Sequence, residues 1–425
     1  MTRAKSRLWV FSEVFYPEET GTGHYITKIA EHLAQTGNVS ALCVQPSYSR
    51  AGGRAPAREV HNGVEIYRCL AVLPHRKAMP ARLVKLTSIT FSLLLNALFR
   101  VTSDDSILVV TNPPTLPVVA ALISLWRGVP YTLVVHDLYP DLMAACGLTT
   151  SRSVWFRLMR RVNRFVLRRA SKIITIGHDM MAALAEARAT GTDDDISVIP
   201  LWSDCGDVHP LKKEENPLAA QLGLSSKLVL LYAGNMGHPH GMDTLATAAR
   251  ILADDDEIHF LFIGSGPKRR VIEQLVESGA RNITILDPRP RAEQEEFLNA
   301  CDVAILSLVP GMLGLAVPSR TYNVMAAGKP VIALVANASE TAKVVREEEI
   351  GWVVQPGDPQ QAVSAILEAK GNRHRLCQMG KRARAAAETK YSPESILKQF
   401  ENLLASSSSG TTTHNLTILQ DQVTQ

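Results

Sequence analysis

At 425 residues the chain is too long for one ordinary core, so its length calls for two domains. Hydrophobic residues make up 46% and charged residues 20%, the balance of a soluble globular protein, which excludes a disordered or fibrous chain. The net charge of +4 hides a division. Residues 1–200 carry 23 Lys and Arg against 15 Asp and Glu, and the remainder 22 against 26, so a negatively charged surface or acceptor is expected to face the N-terminal half.

Arg3, Lys5 and Arg7 lead into a strand-like LWVFS that soon meets Glu13 and Pro17, so no secretory signal is expected. The six cysteines (Cys43, Cys69, Cys146, Cys205, Cys301, Cys377) lie far apart without a CxxC pair. Reduced, cytosolic thiols fit that spacing better than a disulfide framework or a zinc site.

Between residues 7 and 200, short apolar runs alternate with helical patterns. The runs are Leu8 to Ser12, Val39 to Val44, Val64 to Leu70, Ile107 to Thr111, Tyr131 to Val135, Lys172 to Ile176 and Ile196 to Ile199. Such alternation predicts a mostly parallel sheet wrapped by helices. The first run is followed by Tyr16-Pro-Glu-Glu-Thr-Gly-Thr-Gly-His24, where Gly21 and Gly23 permit close approach of backbone to a ligand. A dinucleotide fold would place GxGxxG directly after the strand and an acid at the end of the next one. Here the glycines come late, the third is missing and VSALCVQPSYSR has no carboxylate, which argues against NAD.

Residues 83–99 (LVKLTSITFSLLLNALF) are apolar but interrupted by Lys85, Thr87, Ser88 and Asn96, and read as a buried or interfacial helix rather than a span. His136-Asp137 follows the buried run YTLVV, where catalytic groups belong in a parallel sheet. His136 could accept or relay a proton, with Asp137 orienting it or binding a hydroxyl; a plain strand-end cap is the simpler alternative. Ser151 to Ala170 is a basic helix. Arg157, Arg160, Arg161, Arg164 and Arg168 share one face, and Trp155, Leu158, Met159, Val162, Phe165 and Val166 occupy the opposite one. It is either a core helix with a solvated basic face or a surface for anionic lipid headgroups. Arg76, Lys77, Arg82 and Lys85 beside the apolar helix tilt the reading toward the membrane.

Residues 201–226 turn polar and irregular, and 204–226 are expected to link a first domain (1–203) to a second (227–390). A second α/β series then runs through Lys227 to Ala233, Ile258 to Ile263, Asn282 to Leu286, Val303 to Leu308, Pro330 to Val335 and Gly351 to Val354. Two doubly wound, Rossmann-like domains would face a central cleft at the carboxyl ends of their strands. A last helix is expected over 393–405, followed by a polar, disordered tail over 406–425.

The second domain's loops repeat one theme. Ala233-Gly-Asn-Met-Gly-His-Pro-His-Gly241 is a glycine loop after a strand, able to aim N–H groups at a diphosphate with Asn235, His238 and His240 as partners. Phe262-Ile-Gly-Ser-Gly-Pro-Lys268 and Leu286-Asp-Pro-Arg-Pro290 follow further strands. In VPSRTYNVMAAGKPVIA, residues 317–333, Pro318 and Ser319 are helix openers, Arg320 adds a fixed positive fork and Gly328 ends the helix. Each loop alone is an ordinary turn; four on one sheet edge suggest an anion site.

This succession resembles the family-4 retaining glycosyltransferases of the GT-B fold, in particular the branch that builds bacterial surface polysaccharides. The resemblance covers about residues 7–404 and is carried by FYPEETGTGHYITKIAEHLAQTG, TNPPTLPVVAALISLWRGVPYTLVVHDLYPD, LYAGNMGHPHGMDTL, FIGSGPKRR and VPSRTYNVMAAGKPVIA. It implies an acceptor-binding first domain, a nucleotide-sugar-binding second domain and a final helix that crosses back to the first. It also implies that Gly234 to Gly237 and Gly314 to Ala316, with Gly237 and Leu315 among them, face the diphosphate, Ser319 and Arg320 bind phosphate oxygens, Gly264 and Gly266 line the nucleotide side, and Arg289 lies near the base. His136 looks like the active-site histidine. Two departures stand out. Asn323 occupies the position of a ribose-binding glutamate, with no carboxylate from Gly311 to Asn323, and Asn235 and His240 replace an arginine and a lysine. Arg320 then becomes the main cation on the diphosphate.

The expected reaction is transfer of a sugar from a UDP- or GDP-linked donor to a lipid-linked or glycan acceptor, without cofactor, metal or nucleic acid. Helices 79–100 and 151–170 would touch an anionic membrane at the inner face of the cell membrane. A nucleotide-sugar 2-epimerase and a catalytically silent donor-binding scaffold are the alternatives; the missing carboxylates count against the first.

Overall fold

The computed structural model describes residues 6–18, 20–46, 54–72, 79–188 and 195–409. The first domain contains β1 (Arg7–Phe11), β2 (Asn38–Val44), β3 (Arg58–His61), β4 (Val64–Cys69), β5 (Ser106–Val110), β6 (Tyr131–Val135), β7 (Lys172–Thr175) and β8 (Ile196–Val198). They form one sheet in the order β3-β4-β2-β1-β5-β6-β7-β8, parallel except for the β3–β4 pair. Among the described residues, β3 is the one strand the sequence reading lacks. Asn62 and Gly63, both at positive φ (46° and 83°), make the tight Asn-Gly turn that folds Arg58–His61 back onto Val64–Cys69.

The second domain contains β9 (Leu228–Ala233), β10 (Ile258–Ile263), β11 (Ile283–Leu286), β12 (Val303–Ser307), β13 (Val331–Leu334) and β14 (Gly351–Val354). All pair in parallel in the order β11-β10-β9-β12-β13-β14. The central strands read as unbroken apolar runs because helices cover both faces: every residue of β6, β10 and β12 is buried. Strand order reverses between β1 and β5 in one sheet and between β9 and β12 in the other. Ligands bind at such switch points, outside the carboxyl ends of the strands. Here the two switch points face each other across the interdomain cleft.

The polar stretch after Leu201 is packed rather than loose. Trp202 is buried against Tyr25, Lys213 pairs with Asp302 at 2.6 Å, and Asn216 caps the helix Pro217–Gln221. The final helix, Pro393–Ser409, lies on the first domain. Ile396 and Phe400 enter its core, Lys172 Nζ donates to the Leu403 carbonyl, and His32 meets Glu401 at 3.4 Å. The helix runs four residues past the expected 405, and the polar tail beyond Ser409 lies outside the described residues.

Three neighbouring helices leave an uncovered apolar face on the first domain. Met79–Arg100 buries Ile89, Leu93 and Ala97 but exposes Leu83, and Phe91, Leu95 and Phe99 at four-residue spacing. It alone among the described helices holds a window, Leu83–Arg100, long and apolar enough to cross a membrane. Leu125 and Trp126 of the helix Leu116–Arg127 are also exposed. The basic helix, Val154–Arg169, departs from the expected two-faced pattern. Phe156, Val166 and Leu167 fill its buried face, whereas Trp155, Leu158, Val162 and Phe165 form an exposed stripe beside the arginines. Arg127 donates to the Leu98 carbonyl and Arg169 to the Ser124 carbonyl, joining the three.

Candidate active site

The cleft floor is a stack of glycines. Gly234, Gly264 and Gly266 all have φ near 150°, which few residues with a side chain adopt. A Cβ on Gly264 would lie 1.9 Å from the Gly234 carbonyl, and one on Gly266 would lie 2.5 Å from the Met236 carbonyl. Over this floor rests Arg320. A Cβ on Gly234 would fall 1.0 Å from its Nη1, so the missing side chain is the guanidinium's seat. Burial pulls the Arg320 pKa down, and the Tyr232 hydroxyl beside it offsets part of that pull. No carboxylate pairs with Arg320 among the described residues. An unpaired buried guanidinium suits an anionic ligand.

Two adjoining cavities, of about 760 and 1030 Å³, meet over this cation. Asp137, Asn235, Ser265, Val317, Ser319 and Arg320 line both. The smaller one extends to Gly264, Arg289, His136 and the loop Thr20–Thr22; the larger one reaches Gly237, His238, His240, Gly266 and Pro318.

His136 and Asp137 sit at the end of β6, held there because the His136 N–H donates to Thr111 Oγ1 at 3.2 Å. Burial lowers the His136 pKa to about 4 and raises that of Asp137 to about 6. His136 is therefore a neutral hydrogen-bonding ring at pH 7 and a poor acceptor of a whole proton. Asp137 also forms an isolated β-bridge with Ala316, and the Leu138 N–H donates to the Leu315 carbonyl at 2.9 Å, so the two domains touch here. Beside this contact Gly314 N–H donates to Asp179 Oδ2 at 3.1 Å, and the His178 backbone N–H donates to Glu340 at 2.8 Å.

Several expected site residues turn elsewhere. Asn323 is 6% exposed, accepts the Asp204 N–H through Oδ1 at 3.4 Å and lines neither cavity, because the linker supplies a donor that needs an acceptor. Gly314 and Leu315 belong to the interdomain contact, and Gly23 packs against Glu18 while Thr20, Gly21 and Thr22 face the cavity. Ser319 makes no capping bond to its helix, Arg320–Ala326, and its residue lines the cleft instead. His240 is held neutral, its pKa near 4 through burial and the charge of Arg320, so it does not stand in for a lysine. Its Nδ1 lies 3.0 Å from the Ser307 carbonyl. Arg289 lines the smaller cavity while paired with Glu296 at 2.9 Å and Glu293 at 3.4 Å.

Two residues that the sequence reading passed over also line the smaller cavity: Glu13, after β1, and Asn112, after β5. The rule that singles out His136, a polar residue directly after a buried strand, would have found both. A further cluster lies at the start of the linker, where Asp204 accepts from Arg291 and meets His24 at 3.2 Å. Burial, then the nearby Arg291 charge, lower the His24 pKa to about 4, so His24 meets Asp204 as a neutral ring while Arg291 carries the ion pair.

Residues 20–202 match the glycosyl transferase 4-like domain, and residues 227–372 match the domain described as glycosyl transferases group 1. The chain is 27% identical over 400 residues to "Probable glycosyltransferase WbjE" of Pseudomonas aeruginosa, covering 93% of this chain and 96% of that protein. Over 410 residues it is 24% identical to WcaI of Escherichia coli K12, named as a colanic acid biosynthesis glycosyl transferase, covering 93% and 99%. Among solved structures, HepE of Anabaena in complex with UDP-glucose superposes with a TM-score of 0.69 at 17% identity, covering 94% of this chain and 99% of that one. Sucrose-phosphate synthase of Thermosynechococcus elongatus gives 0.73 at 18%, covering 95% and 100%. With a glycosyltransferase domain matched on each side of the cleft and two parallel-sheet domains facing across it, the chain is a glycosyltransferase of the GT-B fold.

Proposed function

We propose that the chain transfers a sugar from a nucleoside diphosphate donor to a hydroxyl of a lipid-linked or other membrane-associated glycan, with retention of configuration. The carrying observation is Arg320, buried on the Gly234 seat without a carboxylate where two cavities meet. In this reading the diphosphate lies against Arg320 and the N–H groups of the loops at Gly234 and Gly264, with the base toward Arg289. The bond from the anomeric carbon to the diphosphate oxygen breaks, the acceptor oxygen bonds to that carbon, and the acceptor proton passes to the leaving diphosphate. Negative charge grows on the diphosphate as the bond breaks, so a preorganised cation stabilises the transition state more than the ground state. Arg320 and the loop N–H groups would carry that charge without a metal. Ser319 adds a hydroxyl, and neutral His136 bonds the transferred sugar.

The UDP-glucose complex of HepE supports a nucleotide-sugar donor, and the name of WcaI supports polysaccharide biosynthesis. The exposed apolar stripe and the arginines of Val154–Arg169 support a peripheral seat on an anionic membrane, at its cytoplasmic face.

A thermal-shift screen of UDP- and GDP-sugars tests the donor, since a ligand that binds only the native state must stabilise it. One donor is expected to raise Tm and to release nucleotide diphosphate faster when membrane vesicles are added. Binding without acceptor-dependent release would point to a silent scaffold, and conversion to an epimeric sugar nucleotide to an epimerase.

A further inference from the structure

Glu13 and Asn112 flank the switch point of the first sheet, after β1 and β5, and face the smaller cavity from the side opposite Gly234 and Arg320. Glu13 is 8% exposed, and its Oε1 lies 2.9 Å from Lys85 Nζ. Its backbone is fixed by the sheet: the Val44 N–H donates to the Glu13 carbonyl at 3.3 Å, and the Ser12 hydroxyl donates to the Val14 carbonyl at 2.6 Å. The carboxylate is thus aimed from a rigid strand end rather than from a loose loop.

Its partner comes from an unexpected direction. Lys85 belongs to Met79–Arg100, the helix that exposes Leu83, Phe91, Leu95 and Phe99. A lysine on a membrane-facing helix ordinarily extends outward toward headgroups. Lys85 instead lies over Glu13, a residue of the cavity wall, with its side chain 28% exposed. Stability explains little of this, because solvent screens the partly exposed lysine while desolvation of the carboxylate offsets much of the attraction. A polyhydroxy ligand in the cavity does explain it, since an ionised carboxylate accepts hydroxyl hydrogens at both oxygens and still keeps its cation.

We propose that Glu13 binds a hydroxyl of the acceptor sugar and that Lys85 positions it from the membrane-facing helix, with Asn112 in the same cavity wall. This rests on the glycosyl-transfer reading above and names the acceptor side of that site. The acceptor is then a polyol presented from the membrane, and its affinity depends on a helix that also meets the lipid. Glu13 is a binding residue here, and Lys85 acts through it.

The test uses the purified full chain, the radiolabelled form of the donor that gives the thermal shift, and vesicles from membranes of the cells that encode the chain. Transfer into organic-extractable material is followed against vesicle amount. Glu13→Gln is expected to raise the half-saturating vesicle amount about tenfold, the cost of one charge-assisted hydrogen bond. Its donor KM and donor-induced thermal shift should stay within twofold of wild type. Lys85→Met should give a smaller rise, and Glu13→Asp, which keeps the charge and secures the test if Glu13→Gln folds poorly, should recover part of the loss. Unchanged vesicle dependence in Glu13→Gln would overturn the proposal. So would a parallel rise in donor KM, or a fall in Tm that accounts for the lost transfer, since either would make the pair structural. A wild-type chain that binds donor yet labels nothing overturns the transfer reading itself, and the role of Glu13 with it.

Discussion

Arg320 and Gly234 act as one device. The guanidinium occupies the space where any side chain at 234 would begin, so the glycine keeps the cation over the cleft floor as well as freeing the loop. Arg320→Ala is expected to lower kcat by about 10²–10³ with Tm nearly unchanged, the range seen when one preorganised transition-state donor is removed. Arg320→Lys should recover little, because a point charge does not reproduce the planar fork. Gly234→Ala should show the same kcat loss by displacing the arginine. Steady-state kinetics beside circular dichroism checks all three, and turnover close to wild type in Arg320→Ala would refute the role given to it. The sequence made Arg320 and the glycine loops visible, since residue type and place after a strand suffice there. It did not reveal Asn323, whose side chain is taken by an N–H of Asp204, 119 residues away in the chain. Long-range partners of that kind leave no local trace.

Among the elements, the helix Val154–Arg169 departs most from what its sequence suggests. Periodicity finds its arginine face correctly but groups Trp155, Leu158, Met159, Val162, Phe165 and Val166 on one opposite face, open between core and surface. In the structure the apolar residues divide, and Trp155, Leu158, Val162 and Phe165 remain uncovered because the neighbouring helix Leu116–Arg127 packs against the other apolar face. Amphipathic pattern locates a stripe without saying what covers it. Replacing Trp155 and Leu158 together by Asp is expected to cut co-sedimentation with anionic vesicles at least tenfold, from lost apolar insertion and added repulsion. Wild-type binding should also weaken as salt is raised. Equal sedimentation of variant and wild type would remove this helix from the membrane contact. Strand β3 escaped for the opposite reason. REVH has too little apolar content to announce a strand, although the Asn62-Gly63 pair after it is the strongest short hairpin signal available.

At the scale of the whole molecule, acid should act through buried histidines. His24, His136, His240 and His259 each have a pKa lowered to about 4, chiefly by burial. Their ordinary value is 6.5, so between pH 6.5 and 4 the unfolded chain binds more protons than the folded one. The stability they contribute is present in full above pH 6.5 and is lost as pH falls through 4. Asp137 and Asp179 work in the other sense, since burial raises both carboxyls above the ordinary 3.8, Asp137 to about 6, but they are two groups against four. Urea midpoints should therefore drop steeply from pH 6.5 to 4.5 and stay nearly flat from 7 to 8. A midpoint that holds steady down to pH 4.5 would mean that these rings are not held neutral. The two-sheet architecture itself was legible, because central parallel strands buried on both faces, such as β6, β10 and β12, write themselves as apolar runs, and thirteen of the fourteen strands among the described residues fall on a run named from the sequence.

The seam between the domains at Asp137 and Leu138 has a consequence for how such a molecule can change over evolutionary time. It is made by main-chain atoms: a β-bridge to Ala316 and a backbone bond to Leu315. Peptide groups are the same whichever side chains they carry. That stretch of seam can therefore keep its register while the side chains along it drift, whereas the bonds beside it, from Gly314 N–H to Asp179 and from His178 N–H to Glu340, hold only as long as those carboxylates are kept.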